Sequence, residues 1–413
     1  GSIFTMSGHI PELVAGVRNP AALSACSDHA DAVYFSIDRF SLRSRARDIT
    51  LDNLDAFVEQ VKSSGLKAYL AVNTVIYPEE LPAVDAVVEA AASACVDAVI
   101  AWDPAVISRS VECGLKLHIS TQANVSNWRT AEFYRKLGAS RVILSRELTL
   151  EQIKDIRQHT DMELEVFVHG AMCQAISGRC YLSNYLLGRS GNCGECSQPC
   201  RWQWTLRGED GAEVELGGKY LLSVRDLCMI EHVPELLDAG VDAFKIEGRL
   251  RDPGYTAVVS RCYREALDAY RDGSYSRERA LQWKEQMAAV YNRGFSTGFY
   301  FGAPGPDGVA VEKDMNASPV RRQVVGVVQN YFYKQEAAEV RLLEDGLSVG
   351  DFIVIEGVST YLEQQVESLR VGDSNVLKAE QGQEVGLAVV GKVRKNDRVF
   401  RVERFGEKAE EKL

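Results

Sequence analysis

No apolar run in the 413-residue sequence reaches the roughly 18 residues that a membrane span needs. No apolar leader opens it either, so a cytoplasmic protein without a membrane partner is expected. Residues 1–8, GSIFTMSG, carry no periodic pattern and are expected to form a disordered start. A Gly-x-Gly-x-x-Gly loop after the first candidate strand is missing, which argues against a dinucleotide-binding sheet. HExxH, Gly-x-Ser-x-Gly and an ordered Cys-His-Asn set are missing too, which disfavours a peptidase. Positive charge is in deficit, with 47 Lys and Arg against 58 Asp and Glu and a net charge of -11. Phosphate affinity comes from basic residues that release counterions, so this charge argues against indiscriminate nucleic-acid binding. Local basic clusters, such as Arg39, Arg43, Arg45 and Arg47 or the pair Arg321 and Arg322, remain compatible with a confined contact.

Cysteine, by contrast, is concentrated. Between His169 and Trp202 lie five of the 10 cysteines: Cys173, Cys180, Cys193, Cys196 and Cys200. Glycines 178, 188, 191 and 194 and Pro199 let this stretch fold back as a loop, so that four thiolates face one point. Disulfides would need an oxidising compartment that nothing here announces. Tetrahedral zinc would accept four thiolates but usually draws on two short knuckles, and only Cys196-x3-Cys200 resembles one. An iron-sulfur cluster tolerates the wider, unequal spacing. Spacing alone leaves cluster and zinc both open.

Eight short apolar stretches read as strands: 12–17, 32–37, 68–73, 98–102, 116–120, 141–145, 164–168 and 243–246. Helical patterns lie between most of them, as in Leu54-x2-Phe57-Val58-x2-Val61. The fold class expected is α/β, a (β/α)8 TIM-like barrel over residues 9–310 with the cysteine loop 169–202 inserted, and that domain would be the catalytic one. Short β-type runs from residue 324 onward predict a small all-β barrel over 320–405, followed by a charged tail at 406–413. That region resembles the β-barrel second domain of translation GTPases, which implies an RNA-facing accessory role; a lid or dimerisation module is the competing reading. In a TIM-like barrel, chemistry gathers at the C-terminal ends of the strands. Polar residues recur there: Asn73, Asp103, Gln122, Asn124, Arg146, Glu147, His169, Glu247 and Arg249.

The run EVFVHGAMCQAISGRCYLSNYLLGRSGNCGECSQPCRW, with SLRSRARDIT, STQANVSNW, SRVILSREL, FKIEGR and YNRGFSTGFY, resembles the collagenase-like peptidase family of unknown catalytic type. Within it the likeness is to oxygen-independent, prephenate-dependent tRNA uridine hydroxylases. The resemblance implies a [4Fe-4S] cluster on Cys173, Cys180, Cys196 and Cys200, although Cys193, and more remotely Cys228, could replace a ligand. It implies prephenate as co-substrate and hydroxyl donor, the tRNA anticodon region as partner, and 5-hydroxyuridine at the wobble position as product. Prephenate is a dicarboxylate and calls for guanidinium partners. The substrate-binding candidates are Arg43, Arg45, Asn73, Gln122, Asn124, Arg146 and Arg249, with His169 and Glu247 as catalytic acid-base candidates. Internal ion pairs, such as Arg249 with Glu247, are the bland alternative. Competing functions are hydroxylation of a ribosomal RNA cytidine, hydroxylation of a quinone precursor, and a metal-containing RNA-binding protein without catalysis. A homo- or hetero-oligomer is compatible with all of them.

Overall fold

The computed structural model of the chain describes residues 10–42, 48–176, 179–207, 209, 213–214, 222–305, 308 and 316–404. The chain divides into two compact units, one running to residue 317 and the other from 318 onward, with residues 19–21 grouped in the second. Among the described residues no helix is long and apolar enough to cross a membrane.

The first unit is built on β1 (Glu12–Gly16), β2 (Ala32–Phe35), β3 (Lys67–Ala71), β4 (Ala98–Ala101), β5 (Leu117–Ile119), β6 (Ala139–Ile143) and β7 (Glu163–Gly170). Helices α1 (Pro20–Cys26), α2 (Leu54–Ser63), α3 (Leu81–Ser93), α4 (Pro104–Glu112), α5 (Trp128–Lys136) and α6 (Leu150–His159) alternate with them. The strands AVYF and AVIA of β2 and β4 are buried at every position, as parallel strands covered on both faces must be. The segment after β7 holds α7 (Leu182–Leu187), the hairpin β8 (Leu206–Arg207) and β9 (Glu213–Val214), β10 (Asp226–Cys228) and α8 (Val233–Asp238). The eighth barrel strand is β11 (Ala243–Ile246), which pairs in parallel with β1 on one side and with β7 on the other. That double pairing closes the barrel, and each of the eight expected strands is present. α9 (Pro253–Asp272), α10 (Arg277–Ala288) and β12 (Phe295–Ser296) complete the unit.

Near its C-terminal end, β7 departs from regular register. Lys245 lies opposite Phe167, but the next residue, Ile246, lies opposite His169, so β7 carries one extra residue at Val168. The carbonyl of Val168 accepts from Tyr263 Oη at 2.8 Å and from the Met229 amide at 3.0 Å, which replaces the lost ladder bonds. An extra residue reverses which side of the sheet the following side chains face. Phe167 accordingly points into the barrel and His169 packs against Tyr255, Tyr263 and Phe295 instead.

The expectation of a second closed barrel is corrected by the strands of the second unit. They are β13 (Val320–Phe332), β14 (Ala337–Leu342), β15 (Leu347–Ser348), β16 (Phe352–Glu356), β17 (Tyr361–Gln365), β18 (Leu369–Val371), β19 (Ser374–Val376), β20 (Lys378–Ala379), β21 (Glu384–Ala388) and β22 (Arg398–Arg404). Eight of them form one open sheet in the order β17-β16-β22-β13-β14-β21-β18-β19, and among the described residues β15 pairs only with β20. Among the described residues nothing joins the edge strands β17 and β19. Their sequences, YLEQQ and SNV, are mostly polar and not deeply buried, so solvent satisfies backbone groups that a closing strand would otherwise have to cover. The unit nevertheless has its own core, with Val325, Val340, Ile353, Leu387 and Val399 fully buried.

Candidate functional site

A cavity of about 40 Å3 lies where the barrel strands end, lined by Tyr34, Asn73, Gln122, Arg146, Phe167, Lys245, Glu247 and Arg249, among others. That volume holds one carboxylate-sized group or a few waters. Among the described residues, three cationic side chains line it against one carboxylate, Glu247. Two aromatic rings separate the cations: Arg146 lies 3.8 Å from the Phe167 ring centre, Lys245 5.6 Å from Phe167 and 4.0 Å from Tyr34, and Arg249 5.0 Å from Tyr34. Ring quadrupoles attract each charge and offset part of the repulsion among them.

Beneath the cavity the charges alternate. Lys245 Nζ is 3.1 Å from Glu165 Oε1, and Glu165 Oε2 is 3.1 Å from Arg141 Nη1, which also binds Glu12 Oε1 at 2.9 Å. Burial opposes the Glu165 carboxylate, but Lys245 and Arg141 together outweigh burial and hold its pKa below the usual carboxylate range. For Lys245 burial prevails, and its pKa falls below the ordinary lysine range although Glu165 acts the other way. Burial and the nearby Glu247 push the Tyr34 phenol far up, so it stays protonated and donates to Glu247 Oε2 at 3.1 Å.

The barrel brings five of the expected site residues together at this cavity: Asn73, Gln122, Arg146, Glu247 and Arg249. Asn73 Nδ2 donates to Gln122 Oε1 at 3.4 Å, and Asn73 Oδ1 accepts from the Leu42 amide. Arg146 is anchored by donating to the Ala171 carbonyl at 2.8 Å, and Arg249 by donating to Ser41 Oγ at 2.9 Å. Asn124 is elsewhere: it adopts a left-handed conformation, φ 54°, and its Oδ1 accepts from Ser145 Oγ. His169 is buried outside the cavity lining, with Nδ1 3.3 Å from Tyr263 Oη, and burial lowers its pKa to about 3. Arg43 and Arg45 lie outside the described residues.

The cysteine segment is tied to the same end of the barrel. The Val75 amide, just past β3, donates to the Asn192 carbonyl at 3.1 Å, and Arg179 sits 4.7 Å from the Trp102 ring, just past β4. None of the cysteines is in a disulfide. Two sulfurs already accept backbone amides: Cys180 Sγ from Leu182 and Cys196 Sγ from Gln198, each at 3.4 Å. Burial raises the pKa of Cys200; Arg201 lowers it, and Cys173, Cys196 and Cys180 add to the rise, so all four thiols share one neighbourhood. As placed they are gathered without converging, because among the described residues no three His, Cys, Asp or Glu side chains form a metal-holding group. The donor chemistry nonetheless fits a thiolate-bound cluster, since amide donors to sulfur are among the features that tune such centres. Cys193 turns away to Tyr77 Oη at 3.9 Å, and Cys228 is buried in β10, where burial lifts its pKa to about 11.

The profile of Peptidase family U32 matches residues 20–309. The chain belongs to that family. An uncharacterized protease of Methanocaldococcus jannaschii is 43% identical over 94% of this chain and 97% of its own length. A collagenase of Porphyromonas gingivalis is 37% identical over 95% of this chain and 98% of its own. The tRNA hydroxylation protein P1 of Bacillus subtilis is 35% identical over 78% of each chain. The resemblance drawn from the cysteine segment is thus borne out, and U32 relatives carry the names of two different activities.

For this U32 member the sequence reading passed over Tyr34, Phe167 and Lys245. Lys245 was the most legible of these, as a charge inside the apolar strand AFKI. Arg141 in ASRVI and Glu165 in ELEVFVHG stand out in the same way.

Proposed function

We propose that the chain is an oxygen-independent tRNA hydroxylase that forms 5-hydroxyuridine at the wobble position with prephenate as hydroxyl donor. The observation that carries this reading is the joining, at one end of the barrel, of a cationic cavity and a loop that gathers four thiols. A small organic anion suits the first and an iron-sulfur cluster suits the second. The B. subtilis relative named as a tRNA hydroxylation protein supports the choice of reaction.

In this reading Arg146 and Arg249 bind a carboxylate through charge-assisted, bidentate-capable guanidiniums, each oriented beforehand by its own hydrogen bond. Asn73 and Gln122 offer amide groups to the neutral part of the ligand. Glu247, with Tyr34 donating to it, is the group placed to take or return a proton in the cavity. His169, neutral and enclosed by aromatic rings, acts as a positioning residue for the end of β7. Cys173, Cys180, Cys196 and Cys200 would hold a [4Fe-4S] cluster, which when bound supplies one-electron redox chemistry. A base extruded from the anticodon would reach the recessed cavity, as enzymes acting on bases commonly require.

The test is anaerobic incubation of the cluster-loaded chain and prephenate with unmodified tRNA, and in parallel with unmodified ribosomal RNA and with collagen or gelatin, followed by nucleoside analysis of the RNAs and electrophoresis of the protein. Appearance of 5-hydroxyuridine that depends on both prephenate and Arg249 is the expected result. Hydroxylated cytidine in ribosomal RNA, with tRNA unchanged, would replace the reading with its nearest rival. Cleavage of collagen or gelatin without any nucleoside change would restore the peptidase reading.

A further inference from the structure

Lys245 is 3% exposed, yet it is among the residues that line the cavity, and its Nζ lies 4.0 Å and 5.6 Å from the ring centres of Tyr34 and Phe167, which line it too. It stands at the junction of two arrays. Below it, Glu12, Arg141, Glu165 and Lys245 alternate in sign and balance within the barrel core. Beside it, Arg146, Phe167, Lys245, Tyr34 and Arg249 alternate cation with ring, and the cavity they border keeps more positive than negative side chains. A buried lysine needs no cavity if its only task is to neutralise Glu165. Here the space beside it matches one carboxylate, and Glu165 fixes the ammonium from below while leaving its other donors for a ligand.

From this we infer that Lys245 forms a second anionic subsite at the cavity floor, distinct from the guanidinium pair, which takes one carboxylate of a compact dicarboxylate. Glu165, shared with Arg141, is the positioning residue that holds the ammonium in place. The inference rests on the reading that this cavity holds the small-molecule co-substrate, and it adds a reason why a dicarboxylate is selected over a monocarboxylate. The enclosed space takes only the carboxylate held by Lys245, while Arg146 and Arg249, which follow their strands instead of lying within them, bind the other acidic end at its rim, so loss of Lys245 abolishes the preference without abolishing binding.

The experiment is calorimetric titration of the anaerobically purified full chain with prephenate, with phenylpyruvate, which has one carboxylate fewer, and with malonate. Wild type should prefer prephenate to phenylpyruvate by about 10- to 100-fold, the worth of one charge-assisted contact. Lys245→Met should lose that preference and keep its phenylpyruvate affinity. Because a lone substitution leaves Glu165 with one cation fewer, the pair Lys245→Met with Glu165→Gln is titrated as well. Removing both charges together spares the fold, and the pair should show the same loss of preference. A preference that survives in either variant overturns the subsite while the hydroxylase reading stands. Malonate binding that depends on Lys245, with no binding of prephenate, upholds the subsite and removes the hydroxylase reading. No binding of any carboxylate to wild type overturns the subsite.

Discussion

Arg141 is held by three carboxylates, Glu12, Glu163 and Glu165, and is 4% exposed. Replacing it with Met would leave Glu165 buried and Glu12 half-buried beside an uncharged chain. Destabilisation of about 3–5 kcal/mol is expected, the usual result of breaking a buried pair from one side. Urea denaturation should show it, with partial recovery on adding Glu165→Gln. His169 makes a second prediction at this scale. Its folded pKa, about 3, lies below the value near 6.5 of an unfolded histidine. Between those values the unfolded chain binds the extra proton, so the contribution of His169 to stability is complete above about pH 6.5 and declines as pH falls. By pH 5 the loss amounts to roughly 2 kcal/mol. His169→Gln should flatten the fall in melting temperature between pH 7 and pH 5; an unchanged slope would mean that the imidazole is not enclosed as described.

At the scale of elements, the end of β7 decides where the site lies. Gly170 has φ 108°, and a Cβ there would stand 2.7 Å from the Glu247 carbonyl. The close approach is what lets the Glu247 amide donate to the His169 carbonyl at 2.9 Å and sets Glu247 at the cavity. Gly170→Ala should therefore cost about 1–3 kcal/mol in strain and weaken binding of prephenate, measured by melting temperature and by titration. A variant with normal stability and affinity would show that the approach can relax freely. The extra residue at Val168 belongs to the same account. Alternation along ELEVFVHG would place Glu165, Phe167 and His169 on one face, and the bulge releases His169 from that face. Sequence reading could rank His169 as a candidate but had no means of seeing the irregularity, since it depends on Tyr263 and Met229 supplying partners from distant parts of the chain.

For the molecule as a whole, a net charge of -11 coexists with a cavity whose described lining is cationic. Bulk charge and site charge are thus independent quantities, and only the second bears on what is bound. The barrel was legible because each of its strands is a local apolar run followed by a turn and a helix pattern. Closure also follows from a local count, since eight such units in series satisfy one another's edges. The second sheet was not legible to the same degree. Its short strands were recognised as β structure, but whether β17 and β19 meet depends on twist and on pairings far apart in sequence, such as Phe352 with Val402. Among the residues that line the cavity, Asn73, Gln122, Arg146, Glu247 and Arg249 were legible as candidates because they follow apolar strands directly. Lys245, Tyr34 and Phe167 lie within strands, where side-chain direction alone separates a core residue from a cavity residue.

The amino-acid sequence by itself determined the strand and helix units, the gathering of thiols in one glycine-rich loop, and the family, because each of these is written in neighbouring residues. The tertiary structure decided the rest. It chose which strand faces point inward, placed three cations around two rings, withdrew His169 from the cavity and left the second sheet open. Those outcomes turn on register and on contacts between residues as far apart as Tyr34 and Glu247, where a shift of one position exchanges one face for the other.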